Sequence, residues 1–489
     1  MDQRLRALDY LFRPRSVAFV GATEKLQKWG FIVFNNLITG GYEGKLYPVN
    51  PGRETVLGLT AYPSVRDIPG EVDLAVFTVP AREVPAALDD CLMKRVKAGV
   101  VISAGFKELG GEWADVEMEM VRKARAGGMV LVGPNGQGIC NPAAKLFAWM
   151  PHLYFPRPGK VAVISQSGNV QGILVEEVQK AGFGVSKGVS SGNEADLRSE
   201  DYYEYLANDP ETEVILSYIE GVTDGRRFIE GARRAGAIKP IIALKGGRTS
   251  SGISAARSHT GAMAVDDRLF EAACRQAGIV RARTMDEAGI IAGSFLNRPL
   301  PRGKRVGIIT GGGGLGVVAA DTCAELGLDV VKLSEGTLAR IGAMMPAWWS
   351  PGNPVDLVAG MNFQVVMPVM DLLMKSGEID SLLLLFIGPP RSKEQEQAAR
   401  NPQTEQLHKM WKAMSKMFAA FGDALLKKMR ELRVPIYVVS NFNPAGEAGN
   451  GVPGPDHVSL FPTIESGCAA ISAGARYHEW KEGQGRGTF

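Results

Sequence analysis

Along nearly its whole length the chain alternates between short apolar runs and longer stretches whose apolar positions recur at helical spacing. Three of the runs open a repeated unit: "SVAFVGAT" from residue 16, "KVAVISQSGNV" from 160 and "RVGIITGGGGLG" from 305, spaced by 144 and then 145 residues. Each is rich in β-branched residues, ends in a small or glycine-rich turn and leads into a stretch of 3.6-residue periodicity. That is the pattern of a buried parallel strand entering a helix. Further strands in the first repeat read "KLYPVN" (45–50), "DLAVFTVP" (73–80), "AGVVISAG" (98–105) and "MVLVGPN" (129–135). The second repeat continues with "GVSKGVSSGN", "EVILSYIEG" and "KPIIALKGGRTSSG", and the third with "LDVVKLS", "SLLLLFIGPP" and "VPIYVVSN". Proline-rich linkers stand at 149–160 and 296–304. The pattern predicts an α/β protein of three consecutive doubly wound parallel-sheet domains, at 1–150, 158–296 and 303–480. In such sheets the turns that follow the strands gather at the carboxyl edge, where ligands bind.

Composition narrows the function classes. A chain of 489 residues exceeds what one core supports, and 45% hydrophobic with 22% charged residues is the make-up of a globular protein. A formal charge of +3 gives no field that would make nucleic acid or an anionic membrane the main partner. The five cysteines, Cys91, Cys140, Cys274, Cys323 and Cys468, are scattered and never form C-x-x-C. Neither a disulfide framework nor a metal-ligand set is predicted. The N-terminus "MDQRLRALDY" lacks an apolar targeting segment, and "SLLLLFIG" is far too short to span a bilayer. The expectation is a soluble, cytoplasmic protein.

In the first repeat "GATEKLQKWG" (21–30) opens a helix after a strand, so backbone N–H groups and the helix dipole can hold a phosphate. It is neither G-x-G-x-x-G nor a P-loop: "GGYEGKL" lacks the first glycine and has Leu46 where a hydroxyl is needed. The next strand ends in "YPVNPGR", with Asn50 and Arg53 where an NAD site would place an acid. A cation there suits a phosphorylated ribose, as in NADP or coenzyme A; a solvated loop arginine is the other reading.

Together "SVAFVGAT", "GGYEGKLYPVNP", "GLTAYPSVRDIP", "VDLAVFTVPA", "VVISAGFKELGG" and "GPNGQGICNP" resemble the CoA-binding domain of NDP-forming acyl-CoA synthetases, and the likeness runs along nearly the whole chain. It implies a Rossmann-like CoA-binding domain followed by two flavodoxin-like ligase domains. It further implies Gly21, Ala22 and Thr23 at the phosphates of coenzyme A, Asn50 and Arg53 near its adenosine end, and Val79 and Pro80 along it. Ser103, Ala104, Gly105 and Asn135 would line its course to the thiol. The sequence departs from the family at Gly136, where a cysteine is common.

The second repeat carries the reactive groups. A phosphohistidine needs a neutral imidazole, an acceptor on its other nitrogen, and donors for the phosphoryl oxygens. "ISQSGNV" puts Ser165, Gln166, Ser167 and Gly168 at a strand-to-helix turn suited to phosphate. "YIEG" ends a strand with Glu220, and "ARSHTGAMAVDD" brings His259 on a glycine- and serine-rich tract. By the resemblance, the histidine of "SHTGA" is the phosphorylated residue and Glu220 orients it. His152, His408, His457 and His478 lack such a setting and read as solvated.

The third repeat is less explicit. "TGGGG" serves either an anion or close strand–helix packing, the latter being favoured, while "GNPVDLVAG" resembles a ligase-associated element of the family. In the segment 405–430, Met410, Met414, Met417, Phe418 and Phe421 share a helical face, readable as core or as a docking stripe. Trp348 and Trp349 read as packing or as an aromatic substrate contact.

The resemblance implies an alpha subunit that interconverts acyl-CoA, ADP and phosphate with a carboxylic acid, CoA and ATP. The acyl phosphate and the phosphohistidine would be its intermediates. No ATP-grasp domain follows residue 475, so ADP or ATP with Mg2+ is expected on a separate ATP-grasp beta subunit, in a hetero-oligomer for which α2β2 is one stoichiometry. A small carboxylic acid or its CoA ester is the expected substrate. Two alternatives share the fold: a regulatory protein that binds CoA esters, and a transferase using acyl or carbamoyl phosphate without its own nucleotide step. An NADP dehydrogenase fits worst, for want of a dinucleotide fingerprint.

Overall fold

The structure, a computed structural model, describes residues 3–254, 266–296, 298–358, 363–386, 422–440 and 460–485. They form two compact units, Met1–Ala292 and Gly293–Phe489.

The first unit contains two large sheets. One comprises β1 (Ser16–Val20), β2 (Lys45–Val49), β5 (Leu74–Phe77), β6 (Ala98–Val101) and β7 (Val130–Val132), all parallel, in the order β2-β1-β5-β6-β7. A small antiparallel pair, β3 (Thr55–Val56) and β4 (Leu59–Thr60), follows β2. β1, β5 and β6 are buried along their whole length, which is why they read as continuous apolar runs without alternation. The helix α1 (Gln3–Phe12) precedes β1; α2 (Trp29–Thr39), α3 (Val84–Met93) and α4 (Glu112–Ala126) lie between the strands.

The other sheet has seven strands. Five are parallel: β10 (Pro158–Ser165), β11 (Val185–Ser190), β12 (Val214–Ile219), β13 (Ile241–Lys245) and β14 (Ile279–Ala282). A hairpin of β8 (Gly138–Asn141) and β9 (Leu146–Trp149) adds to β11 antiparallel, giving the order β14-β13-β12-β10-β11-β8-β9. This hairpin was not expected. Each of its strands has only four residues, all buried, so neither alternation nor length marks them. It lies within the 1–150 segment, yet its hydrogen bonds go to the second sheet. The sheets share one apolar core: Phe12 stacks on Tyr205 at 5.4 Å, and the buried Asn36 amide donates to the carbonyls of Trp149 and Pro151. Helices α5 (Gly168–Lys180), α6 (Ser199–Asn208) and α7 (Gly225–Ile238) flank the second sheet.

In the second unit β15 (Arg305–Thr310), β16 (Asp329–Val330), β17 (Val355–Asp356), β18 (Ser381–Phe386), β19 (Ile436–Ser440) and β20 (Leu460–Phe461) make a parallel sheet ordered β16-β15-β18-β19-β20, with β17 on β15. Asn353, from the "GNPVDL" stretch, acts as a rung between strands: its carbonyl accepts from Ile308 N, and its amide donates to the Val306 and Val331 carbonyls at 2.9 Å each. Packing accounts for Gly316, where a Cβ would lie 3.0 Å from Pro354, but not for Gly312 and Gly314, whose Cβ positions are open. Trp349 is buried and donates to the Asp356 carbonyl, whereas Trp348 is exposed. The stripe Met410, Met414, Met417, Phe418 and Phe421 lies outside the described residues; the helix that follows, 422–432, buries Leu425, Leu426 and Met429 in the core. Among the described residues no helix is long and apolar enough to cross a membrane.

Two substitutions test this packing. At Gly136 a Cβ would stand 2.4 Å from the Ser190 carbonyl oxygen, a main-chain atom of β11 that cannot swing aside. Gly136→Cys is therefore expected to cost about 1–3 kcal/mol, read as a lower urea midpoint. Glu200, on α6 against Gly231 of α7, has a carboxyl raised to about 7, first by burial and then by nearby Glu194, against the pull of Arg227. A carboxyl raised in the folded state favours folding while protonated and loses that contribution as pH climbs from its unfolded value through 7. Glu200→Gln should thus raise the urea midpoint at about pH 8, by up to about 3 kcal/mol in stability, and leave it nearly unchanged at about pH 4.

Candidate functional site

Both sheets of the first unit reverse their strand order beside their first strand. From β1 the chain adds β2 on one side and β5 on the other; from β10 it adds β11 on one side and β12 on the other. A crevice opens at the carboxyl ends of each such pair.

At the β1/β5 crevice the backbone comes unusually close. Gly21 has φ +94, and a Cβ on it would meet Thr78 Oγ1 at 2.8 Å. Gly30, in the first turn of α2, packs so tightly that a Cβ would lie 2.1 Å from the Gly21 carbonyl oxygen. Ala22 is buried, while Gly21 and Thr23 are half-buried at the crevice. Asn50 is turned inward: its amide donates to the Ala22 carbonyl at 2.8 Å and its oxygen accepts from Gly52 N at 2.9 Å, which ties the turn after β2 to the turn after β1. Arg53, three residues further on, is exposed and makes no ion pair among the described residues. Val79 is half-buried and Pro80 exposed; the Ser103 hydroxyl donates to the Val79 carbonyl at 2.5 Å, aligning the turns after β5 and β6. Ala104 is exposed, and Gly105, at φ +108, donates its N–H to Glu108. Asn135 has a positive φ, donates its N–H to the Ser103 carbonyl and its amide to Asn193 at 3.3 Å. All eleven residues expected along coenzyme A thus stand on turns at this edge. Asn50 and Ser103 have their polar side chains committed to the protein.

At the β10/β12 crevice two of the four residues expected at the phosphate, Ser165 and Gln166, have their side chains bonded to the protein. Ser165 is fully buried; its hydroxyl donates to the Ser167 carbonyl and accepts from Ser167 N, fixing the turn. Gln166, expected at the phosphate, directs its carboxamide at the protein. Its oxygen accepts from Glu220 N at 2.7 Å and Gly221 N at 3.0 Å, and its nitrogen donates to the Gly221 carbonyl at 2.9 Å and to Glu194 at 3.0 Å. Its main-chain N–H goes to the Tyr218 carbonyl. The groups left at the turn are the half-buried Ser167, which makes no side-chain capping bond, and the first N–H groups of α5, from Gly168 on, which have no carbonyl one turn back. These suit an anion.

Glu220 is 8% exposed at the end of β12. Its main chain is held from both ends: the N–H by Gln166, and the carbonyl by the buried Lys245 ammonium at 3.0 Å. Lys245 also donates to the Gly246 carbonyl and lies over the Phe270 ring; burial holds it below its ordinary pKa. The Tyr218 phenol hydrogen-bonds the Glu220 carboxylate; burial, with that charge added, pushes it up to about 12, so it stays a donor at neutral pH. His259 lies outside the described residues, as do His408 and His457; His152 is exposed and His478 half-buried.

Sequence reasoning missed Asn193, Glu194, Tyr218 and Lys245. Asn193 and Glu194 were legible as polar residues in a loop just after a buried strand, "SSGNEADL", and Lys245 as a charge closing an all-apolar strand. The Asn193 amide donates to Glu108 at 2.7 Å and Glu117 at 2.9 Å. Burial opposes ionisation of both acids: Glu117 ends above its ordinary range, while the Gly105 N–H and Asn193 bring Glu108 below it.

Residues 15–142 match the CoA binding domain family, 158–294 the succinyl-CoA ligase like flavodoxin domain and 306–390 the ligase-CoA domain. The acetate–CoA ligase [ADP-forming] II subunit alpha of Pyrococcus furiosus is 43% identical over 383 residues, covering 78% of this chain and 83% of that one. The 4-hydroxybutyrate–CoA ligase [ADP-forming] of Nitrosopumilus maritimus is 34% identical over 376 residues, 76% of this chain and 54% of that one. Among solved structures, the dinucleotide forming acetyl-coenzyme A synthetase 1 of Ca. Korarchaeum cryptofilum, in complex with phosphate and ADP, superposes with a TM-score of 0.81 at 33% identity over 97% of both chains. With these matches in this order along its length, the chain belongs to the family of NDP-forming acyl-CoA synthetases, the ADP-forming acyl-CoA ligases.

Proposed function

We propose that this chain is the alpha subunit of an ADP-forming acyl-CoA ligase, an acid–thiol ligase that passes a phosphoryl group through His259. In this reading residues 1–150 bind coenzyme A, 158–296 carry the histidine, and 303–480 form the ligase-associated domain. The observation that carries it is the β10/β12 crevice, where Glu220 is clamped by its own main chain beside a strand-to-helix turn with N–H groups to spare.

The cycle follows from the chemistry of the groups. A phosphate oxygen attacks the acyl carbon of the thioester, the C–S bond breaks, and CoA leaves as the thiolate with an acyl phosphate formed. An imidazole nitrogen of His259 then attacks phosphorus, the bond to the acyl oxygen breaks, and the carboxylate departs. Glu220 accepts from the other ring nitrogen, which fixes the tautomer that leaves the attacking nitrogen its lone pair, and balances the charge that appears on the ring during transfer. Ser167 and the N–H groups of α5 hold the phosphoryl oxygens by dipoles that need no reorganisation. An oxygen of the terminal ADP phosphate finally takes the phosphoryl group, with Mg2+ and nucleotide on an ATP-grasp beta subunit. The subunit alpha name of the Pyrococcus furiosus relative supports that division. A small carboxylic acid or its CoA ester is the substrate.

The crevice at β1/β5 fits a CoA ester. Gly21 and Gly30 bring backbone to the point where a pyrophosphate would lie, and Arg53 stands unpaired among the described residues at the adenosine end. Arg53→Ala should weaken CoA about tenfold in calorimetry while leaving dephospho-CoA unchanged, since the guanidinium is assigned to the ribose phosphate. For the phosphoryl step, acyl-CoA with labelled phosphate should give an acid-labile, base-stable label on wild type and none on His259→Ala. Glu220→Gln should label about a hundredfold more slowly. Equal labelling of His259→Ala would sink the reading, and complete turnover with nucleotide by this chain alone would remove the need for a beta subunit.

A further inference from the structure

The Gln166 carboxamide is gripped at both ends. Its oxygen takes two main-chain N–H groups, from Glu220 and Gly221, while its nitrogen gives one proton to the Gly221 carbonyl and the other to Glu194. An amide rotated by half a turn would set its oxygen against a carboxylate and a carbonyl, and its nitrogen against two donors. Glu194 thus fixes which way Gln166 faces together with the Gly221 carbonyl and the two main-chain N–H groups, and it is the side chain in that set. Glu194 is itself fixed, for its other oxygen accepts from the Ser191 and Ser199 hydroxyls at 2.8 and 2.7 Å, and its main chain holds φ +49. Ser191 in turn donates its N–H to the carbonyl of Ser165 at 2.8 Å, in the turn that bears Gln166. The result is a closed set of bonds running from the loop after β11, through the turn after β10, to the main chain of the residue that ends β12.

We infer that Glu194 and Gln166 are positioning residues for phosphoryl transfer: Glu194 orients the Gln166 carboxamide, which sets the Glu220 main chain and so the aim of its carboxylate at the imidazole. Neither touches the reacting atoms. The inference rests on the assignment of Glu220 and His259 made above, and it removes Gln166 from the groups that bind phosphate. The energetic logic is that of near-attack geometry: a carboxylate misplaced by about 1 Å costs about a hundredfold in rate without touching substrate affinity.

The test measures label transfer from [32P]phosphate with acetyl-CoA to the full chain assembled with its beta subunit. Gln166→Ala and Glu194→Ala should slow labelling by about 10- to 100-fold, with the acetyl-CoA concentration for half-maximal rate unchanged. Glu194→Gln, which can still turn an oxygen to the Gln166 nitrogen, should recover most of the rate. In a Glu220→Ala background, Gln166→Ala should cost less than about twofold more, since it acts only through Glu220. Wild-type rates in Gln166→Ala and Glu194→Ala, or full additivity with Glu220→Ala, would overturn the relay while the loss of label in His259→Ala still upheld the ligase cycle. Label surviving in His259→Ala would instead remove the cycle, and the relay with it. Should the alanine variants fold poorly, the rescue by Glu194→Gln and the additivity measured from Gln166→Asn decide the matter by the same criteria.

Discussion

A parallel sheet that adds its second strand on one side of the first and its third on the other must leave a gap between the loops at that point, because the two loops depart in opposite directions. No side chain of the sheet can fill it, and the backbone N–H groups of the entering helix point into it. The first unit makes this gap twice, at β1/β5 and at β10/β12. What differs is the lining. At β1/β5 it is glycine and small residues that bring main chain close enough for a bulky phosphorylated ligand to lie along it. At β10/β12 it is a clamped carboxylate, a serine and a helix start, which suit a group that arrives, reacts and leaves.

These two gaps are mechanically joined. The loop after β11 hydrogen-bonds to the end of the first sheet through Asn193 N to the Pro134 carbonyl, Ala195 N to Gly133 and Leu197 N to Leu131. The buried Asp196 secures the junction, taking Arg125 at 2.7 Å and Leu131 N at 2.8 Å. Asn193 faces the Asn135 and Glu108 loops of the first sheet, and its neighbour Glu194 faces Gln166 in the second. Adjacent residues of one loop thus hydrogen-bond to the edge of the first crevice and to the turn at the second. In the proposed cycle this junction would keep the place where the acyl phosphate forms beside the place where it is used.

The sequence displayed the strands that are buried on both faces, because a continuous β-branched run closed by a glycine turn fits a buried strand entering a helix and little else. It did not display the β8–β9 hairpin, which is as buried but too short to have a period. Site residues followed the same divide. Positions on turns after strands, from Gly21 to Glu220, could be placed at a carboxyl edge from order alone. Their roles could not, because Gln166 and Asn50 look the same in sequence whether their amides face a ligand or a neighbouring loop. Only the hydrogen-bond partners separate a residue that binds from one that positions. Asn193 and Glu194 passed unmarked because a polar loop after a strand is the commonest thing in an α/β chain, and nothing in its letters tells which polar residue is buried.

The electrostatics of the second crevice fit a carrier better than a trap. Among the described residues, the groups bonded to Glu194 are neutral, two hydroxyls and an amide. Among the same residues, the buried Lys245 ammonium near Glu220 is spent on main-chain carbonyls. A cation aimed into the crevice would bind the doubly charged phosphoryl group before, during and after transfer alike, and such uniform binding deepens the resting state without lowering the barrier. Dipoles and a carboxylate act otherwise. The carboxylate repels the phosphoryl oxygens yet favours the charged imidazole that forms as phosphorus is taken, so its contribution is largest where the barrier is. Holding Glu220 by its main chain, through Gln166 on one side and Lys245 on the other, fixes its position without using its carboxylate, which Tyr218 hydrogen-bonds. In the proposed cycle the acid would stay aimed at the His259 imidazole, and the dipoles at the turn would release the phosphoryl group once it is passed on.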